Sequence, residues 1–254
     1  MDINNYDKVF ETVRDIEKNV VKTHINRLEE LDKLMPANPV FFCITNTTKH
    51  SFEYVSKNFH HATGLDPKKM KEEGMNYWWS RFHPEEADLW VNILGELMQF
   101  TMGKVPFEDR KRVSYIWNYS IKNVNGEYMN ITQHTTPMYF DDQGKPVIGL
   151  AHYTVTGKGE RLPLKATAMI LNANDIYETI FHKNFSKEQA EQNLSNREID
   201  VLRLVAEGLN NQEVANKLYI SLHTVQTHRR NIMAKSNCNN VTELIAKYIR
   251  EGVL

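Results

Sequence analysis

Between Asn210 and Ile232 the apolar positions recur at helical spacing in two short runs. Val214, Ala215 and Leu218 mark the first, Val225 and Ile232 mark the second, and Ile220 sits at the join. Each run follows a residue that caps helices. Asn210 precedes the first, and Glu213, three places on, can reach back to close a capping box. Ser221 precedes the second. The pattern predicts two helices joined by a tight turn, a helix-turn-helix whose second helix fits the major groove.

The front of the chain alternates differently. Tyr6, Val9, Val13, Ile16 and Val20, then Ile25, Leu28 and Leu31, trace an amphipathic helix over residues 1–35. It can cover its own domain or pair with the same helix of a second copy. Pro36 and Pro39 end it. Val40–Thr45 and Ser51–Ser56 read as strands, short helical pieces follow, and His83-Pro84-Glu85-Glu86 opens a helix to about Met102. Ser114–Asn123 and Glu127–Phe140 flank Asn125-Gly126, a hairpin signal, and Val147–Thr156 supplies another strand. Residues 158–192 read as a linker. Within it Leu164–Leu171 fits either a strand or a helix start, and Asp175–Phe181 reads helical.

The outer face of the second C-terminal helix bears the chemistry. His223, Thr227 and Arg230 lie opposite Val225 and Ile232, with Gln226 beside Arg230. No acidic residue falls between Ser221 and Lys235. Glutamine can pair with adenine and arginine with guanine through two hydrogen bonds, and threonine can touch a thymine methyl. Gln226, Thr227 and Arg230 are therefore candidates for base contacts. His223, Thr224, Arg229, Lys235 and Asn211 are candidates for backbone contacts, which add affinity without sequence information. A basic outer face is often only a solvated one, but two caps at two-helix spacing favour double-stranded DNA as the partner.

This segment resembles the DNA-binding domain of LuxR-type transcription regulators. The residues that carry the likeness include Leu194-Ser195, Arg197-Glu198, Val201-Leu202, Ala206–Leu209, Glu213–Ala215, Ile220-Ser221, Thr224-Val225 and Thr227-His228. The resemblance implies an all-α domain of four helices at 193–254, with Ser221 to about Ser236 as the recognition helix. It also implies that the last helix, about Val241–Arg250, pairs two copies. Three positions depart from the family pattern. Asn210 replaces serine or threonine and caps equally well. Gln226 stands where a basic residue is common, so the target bases do not transfer. Ser236 replaces leucine, which should soften packing between the third and fourth helices.

Residues 36–157 resemble a PAS domain, through Tyr54–Asn58, Thr63-Gly64-Leu65, Phe82–Glu85, Asn125–Met129, Asp141–Pro146 and Gly149–Val155 in that order. The resemblance implies an α+β fold: a five-stranded antiparallel sheet curling around helices, with a pocket between them and flanking helices that dimerise. Trp78, Trp79, Phe82, Trp117 and Tyr128 are candidates to line a small-molecule pocket, since aromatic rings with polar tips suit one. They equally suit a plain core, in which case the domain binds only a protein partner.

Composition narrows the remaining options. The net charge is −1, yet residues 193–254 carry 8 Lys and Arg against 6 Asp and Glu. So mild an excess makes DNA affinity depend on placement and on homodimerisation. Cys43 and Cys238 read as reduced structural thiols. No secretory signal or membrane-length apolar run appears, so a cytoplasmic location is expected, without membrane association. No catalytic motif is present (no GxSxG, HExxH or phosphate loop), and no phosphoacceptor aspartates, so an enzyme is not expected. No cofactor can be named. Cys43 lacks the setting of a flavin-reactive cysteine, and His60, His61, His83, His134 and His152 are haem-ligand candidates by residue type only. His134 and His152 fall on adjacent predicted strands, but two ligands do not make a metal site.

Overall fold

The computed structural model describes residues 6, 18–159, 161–187 and 193–254. They form two compact units, 1–183 and 184–254.

The first unit is built on one sheet. Its strands are β1 (Val40–Asn46), β2 (Ser51–Val55), β3 (Val113–Lys122), β4 (Tyr128–Phe140), β5 (Pro146–Lys158), β6 (Lys165–Leu171) and β7 (Tyr177–Asn184), in the spatial order β2-β1-β5-β4-β3-β6-β7. The β1 sequence Val-Phe-Phe-Cys-Ile-Thr-Asn is rich in β-formers and buried on both faces, as a central strand requires. The predicted Asn125-Gly126 turn joins β3 to β4. Gly126 adopts φ +80°, and the Asn123 side chain accepts from the Asn125 and Glu127 amides at 2.9 and 3.0 Å. Pro137 interrupts β4 where the register with β5 slips, the place a sheet tolerates a residue with no N–H.

Five strands were expected and seven are present. Lys165–Leu171 pairs antiparallel with β3, from Val113↔Ile170 to Trp117↔Ala166, so β3 is an interior strand. Buried Ala166 and Ala168 give this strand an inward face that a 3.6-residue reading hides. The helix expected at 175–181 is also a strand. Asp175, at φ 58°, sits in a tight turn closed by Asn172, and Tyr177-Glu-Thr-Ile-Phe-His then runs out as β7. Ile176 and Tyr177 are exposed, so the spacing that resembled a buried helical stripe buries neither of them.

Helices α2 (Asn58–Thr63), α3 (Pro67–Glu72), α4 (Met75–Trp79) and α5 (Pro84–Lys104) connect β2 to β3. Helix α5 begins as predicted: His83 caps it, Pro84 holds the first turn, and Glu85 and Glu86 sit at its positive end. Buried Glu86 accepts from the Ser120 amide at 2.6 Å and its hydroxyl at 3.1 Å, fastening α5 to β3. Helix α1 (Lys18–Leu34) lays Val21, Ile25 and Leu28 against Phe42, Ile44, Tyr54, Val147 and Ile148. Its Asp32 accepts from the Tyr54 hydroxyl at 2.9 Å and the Lys57 amide at 2.8 Å. Of the two roles open to this helix, residues 18–34 thus cover their own sheet. Val9, Val13 and Ile16 lie outside the described residues.

The second unit contains α6 (Asn196–Ala206), α7 (Asn211–Leu218), α8 (Leu222–Ser236) and α9 (Val241–Glu251). Val201, Leu202, Val214, Ala215, Val225, Ile232, Leu244 and Tyr248 make its core, with Leu218 and Ile220 packed at the edge. Among the described residues, no helix is long and apolar enough to cross a membrane.

Candidate nucleic-acid interface and interior cavity

Local rules set the pose of α8. Asn210 and Glu213 form a reciprocal capping box at the start of α7. Tyr219 then takes the left-handed conformation at φ 55°, which turns the chain sharply, and Ser221 caps α8 through the Thr224 amide at 3.0 Å. The Arg197 guanidinium reaches the Leu218 carbonyl at 2.6 Å and closes the end of α7. Val225 and Ile232 are buried, so the opposite side of α8 faces solvent.

On that side His223, Gln226 and Arg230 are exposed and Thr227 is partly so. Gln226 and Arg230 have no intramolecular hydrogen-bond partner among the described residues, which leaves their donors and acceptors available. The candidates for backbone contacts divide. His223 is open to solvent. Thr224 shares a hydrogen bond with Ser221 at 2.8 Å within the start of α8, and Arg229 donates to Asn211 at 2.9 Å, which braces α8 against α7. Lys235 donates to Glu198 at 2.7 Å, and that carboxylate is 4% exposed. Burial alone would raise the Glu198 pKa. Hydrogen bonds from Lys235 and Ser195 outweigh it and hold the group below the usual carboxylate range.

The softening expected at Ser236 is compensated. Ser236 is buried and its hydroxyl shares a 2.8 Å hydrogen bond with the Tyr248 hydroxyl, so a polar link joins α8 to α9 where leucine would pack.

The first unit holds a cavity of about 90 Å³ between α4, α5 and the inner faces of β1, β3, β4 and β5. That is room for several waters or one small organic molecule. Trp78, Trp79 and Trp117 line it. Phe82 does not; it packs on Tyr119 and Trp90 in the core. Tyr128 lies outside too, against His83 and Lys122. Trp90 also lines it, and sequence reasoning missed Tyr6, Tyr115, Gln133 and Thr135, which form part of the wall. The inward parity of Ile131, Gln133 and Thr135 on β4 was the available signal for the last two.

A hydrogen-bonded chain runs along this wall. The Trp78 indole donates to Tyr119 at 3.0 Å, Tyr119 donates to Gln133 at 2.8 Å, and Gln133 donates to Thr135 at 3.0 Å. Burial pushes the Tyr119 hydroxyl pKa well up, keeping it a donor. Tyr6 stacks over Trp90 and leans on Trp79, so a residue from the start of the chain forms part of the wall.

No metal centre forms among the described residues. His134 and His152 are register partners with ring centroids 6.5 Å apart, and no third ligand joins them.

Residues 192–248 match the model of a family described as bacterial regulatory proteins, luxR family, and residues 52–151 match a PAS fold. A relative in Escherichia coli, the uncharacterized response regulatory protein YgeK, is 44% identical over 68 residues, 27% of this chain and 46% of that protein. The oxygen regulatory protein NreC of Staphylococcus carnosus is 39% identical over 61 residues, 24% of this chain and 28% of that protein. The chain thus spans less than half the length of these curated relatives. Among solved structures, the Vibrio cholerae VqmA dimer is a distant likeness, with 14% identity and a TM-score of 0.35 over 89% of this chain and 88% of that one.

Proposed function

We propose that this chain, whose residues 192–248 are a luxR-family DNA-binding domain and whose residues 52–151 are a PAS domain, is a sequence-specific transcription regulator acting as a homodimer. The observation that carries the reading is the solvent face of α8. Gln226 and Arg230 stand exposed and unpaired, on a helix that caps and core packing hold rigid. Gln226, Thr227 and Arg230 read base edges. His223 touches the backbone, with Thr224, Arg229, Asn211 and Lys235 steadying the helix beside it.

Dimerisation follows from charge. A domain so weakly basic gains little from phosphate attraction alone, and two recognition helices one turn of DNA apart (~34 Å) bind cooperatively. The PAS cavity serves sensing: a small molecule there contacts Tyr6, Trp79 and Trp90 and biases the spacing of the two DNA-binding domains.

Fluorescence anisotropy at fixed salt tests the base-reading role. Arg230→Ala should weaken the specific duplex by ~1–3 kcal/mol and leave non-specific binding nearly unchanged. An equal fall on both duplexes would make Arg230 a phosphate contact and remove the central support for this reading.

A further inference from the structure

Among the described residues, His50, Asp175, Tyr219 and Asn237 take a positive φ without being glycine. Histidine, aspartate and asparagine take this left-handed conformation comparatively readily, whereas a bulky residue there is an outlier. The turn imposes it on Tyr219. The residue ends α7 at φ 55° and ψ 45°, and the Ile220 amide donates back to the Ala215 carbonyl at 3.0 Å, a helix end that glycine usually supplies. The ring packs on nothing in return. Tyr219 is 95% exposed, and its hydroxyl has no partner among the described residues. The turn of the helix-turn-helix thus holds a strained, outward-facing tyrosine where glycine would fit without strain.

From this we infer that Tyr219 is a DNA-backbone contact, its hydroxyl donating to a phosphate at the edge of the groove that α8 enters. The inference rests on the DNA-reading role proposed for α8. In a helix-turn-helix the N-terminal residues of the recognition helix reach the base edges, so the turn that precedes them comes close to the backbone. Tyr219 stands two residues before the cap Ser221, a span of at most ~7 Å. The first amides of a helix have no intrahelical partner and its N-terminus attracts anions, which favours a phosphate at the same end of α8. No acidic residue between Ser221 and Lys235 opposes it. Tyrosine hydroxyls are regular donors to phosphate oxygens, and such a contact adds affinity without reading sequence. Being neutral, it also releases no counterion.

Anisotropy titrations of the full-length protein over a range of salt test this, on a duplex that the wild type selects from random sequence and on an unselected duplex of equal length. Tyr219→Phe keeps the ring and the backbone conformation and removes only the hydroxyl. It should weaken both duplexes alike, by at least ~10-fold, the worth of a hydrogen bond to a charged group, and leave the salt slope unchanged. Tyr219→Gly should lose at least as much affinity, while the melting temperature of the second unit holds or rises by up to about 5 °C as the left-handed penalty is removed. Wild-type affinity in the phenylalanine variant overturns the contact and leaves the DNA-reading role of α8 standing. A loss confined to the selected duplex overturns the phosphate assignment and makes Tyr219 a base reader. Lost affinity with a lowered melting temperature in the glycine variant overturns it in favour of a structural role. A wild type that enriches no sequence and binds no duplex overturns the DNA-reading role itself.

Discussion

Ser236 and Tyr248 show how one residue pair rewrites a family's packing. The Tyr248 hydroxyl is buried, and its partner in the core is the Ser236 hydroxyl. Ser236→Ala should cost ~1–2 kcal/mol by stranding that hydroxyl, read as faster hydrogen exchange in α9. Combining it with Tyr248→Phe should recover most of the loss; no recovery would mean that the hydrogen bond is not the link. The sequence exposed the missing leucine but not its compensation, since nothing in the spacing of 236 and 248 says which side chains meet. Lys235 illustrates the same limit. Its place on a basic helix reads as a phosphate contact, whereas its ammonium sits on Glu198. Lys235→Ala should destabilise the second unit by about 1 kcal/mol, discounted because the ammonium is half exposed. His134 brings pH dependence to the first unit. Its Nε2 is buried without a partner, and burial lowers its pKa. The unfolded chain therefore takes up protons first, and stability should fall as pH drops below about 6.5. His134→Asn should flatten the melting temperature between pH 7 and 5.5; an unchanged slope would assign the effect to other groups.

Among the elements, those with strong local signals were legible. Both caps of the helix-turn-helix, the Asn125-Gly126 hairpin and the Pro84 start of α5 rest on contacts between near neighbours in sequence, and the structure contains each. Strands β6 and β7 were not legible. Their helix-like spacing competes with a strand reading, and pairing decides it: β6 lies against β3, about fifty residues earlier, and β7 lies beside β6 at the edge of the sheet. The cavity was legible in part: three of five expected residues line it, whereas Tyr6 and Gln133 stand far from them in sequence and only the folded chain brings them to the wall. The Asn210 capping box gives a direct check on the helix-turn-helix. Asn210→Ala should cost ~1 kcal/mol, seen as fraying of α7 by hydrogen exchange, while Asn210→Ser should be nearly neutral.

At the scale of the whole molecule, the proposed regulator combines a DNA-reading face in the second unit with a cavity in the first whose wall includes Tyr6. Native mass spectrometry with an operator duplex should show two protein chains per DNA; a one-to-one complex would remove dimerisation from the proposal. The central claim, that α8 reads bases through Gln226, Thr227 and Arg230, is tested most directly by selecting sites from random-sequence duplexes with the full-length protein, wild type and Arg230→Ala side by side. The wild type should enrich a two-fold symmetric site with half-sites ~34 Å apart, and the variant should lose preference at one position in each half. Enrichment of the same site by both proteins, or of none by either, would contradict it.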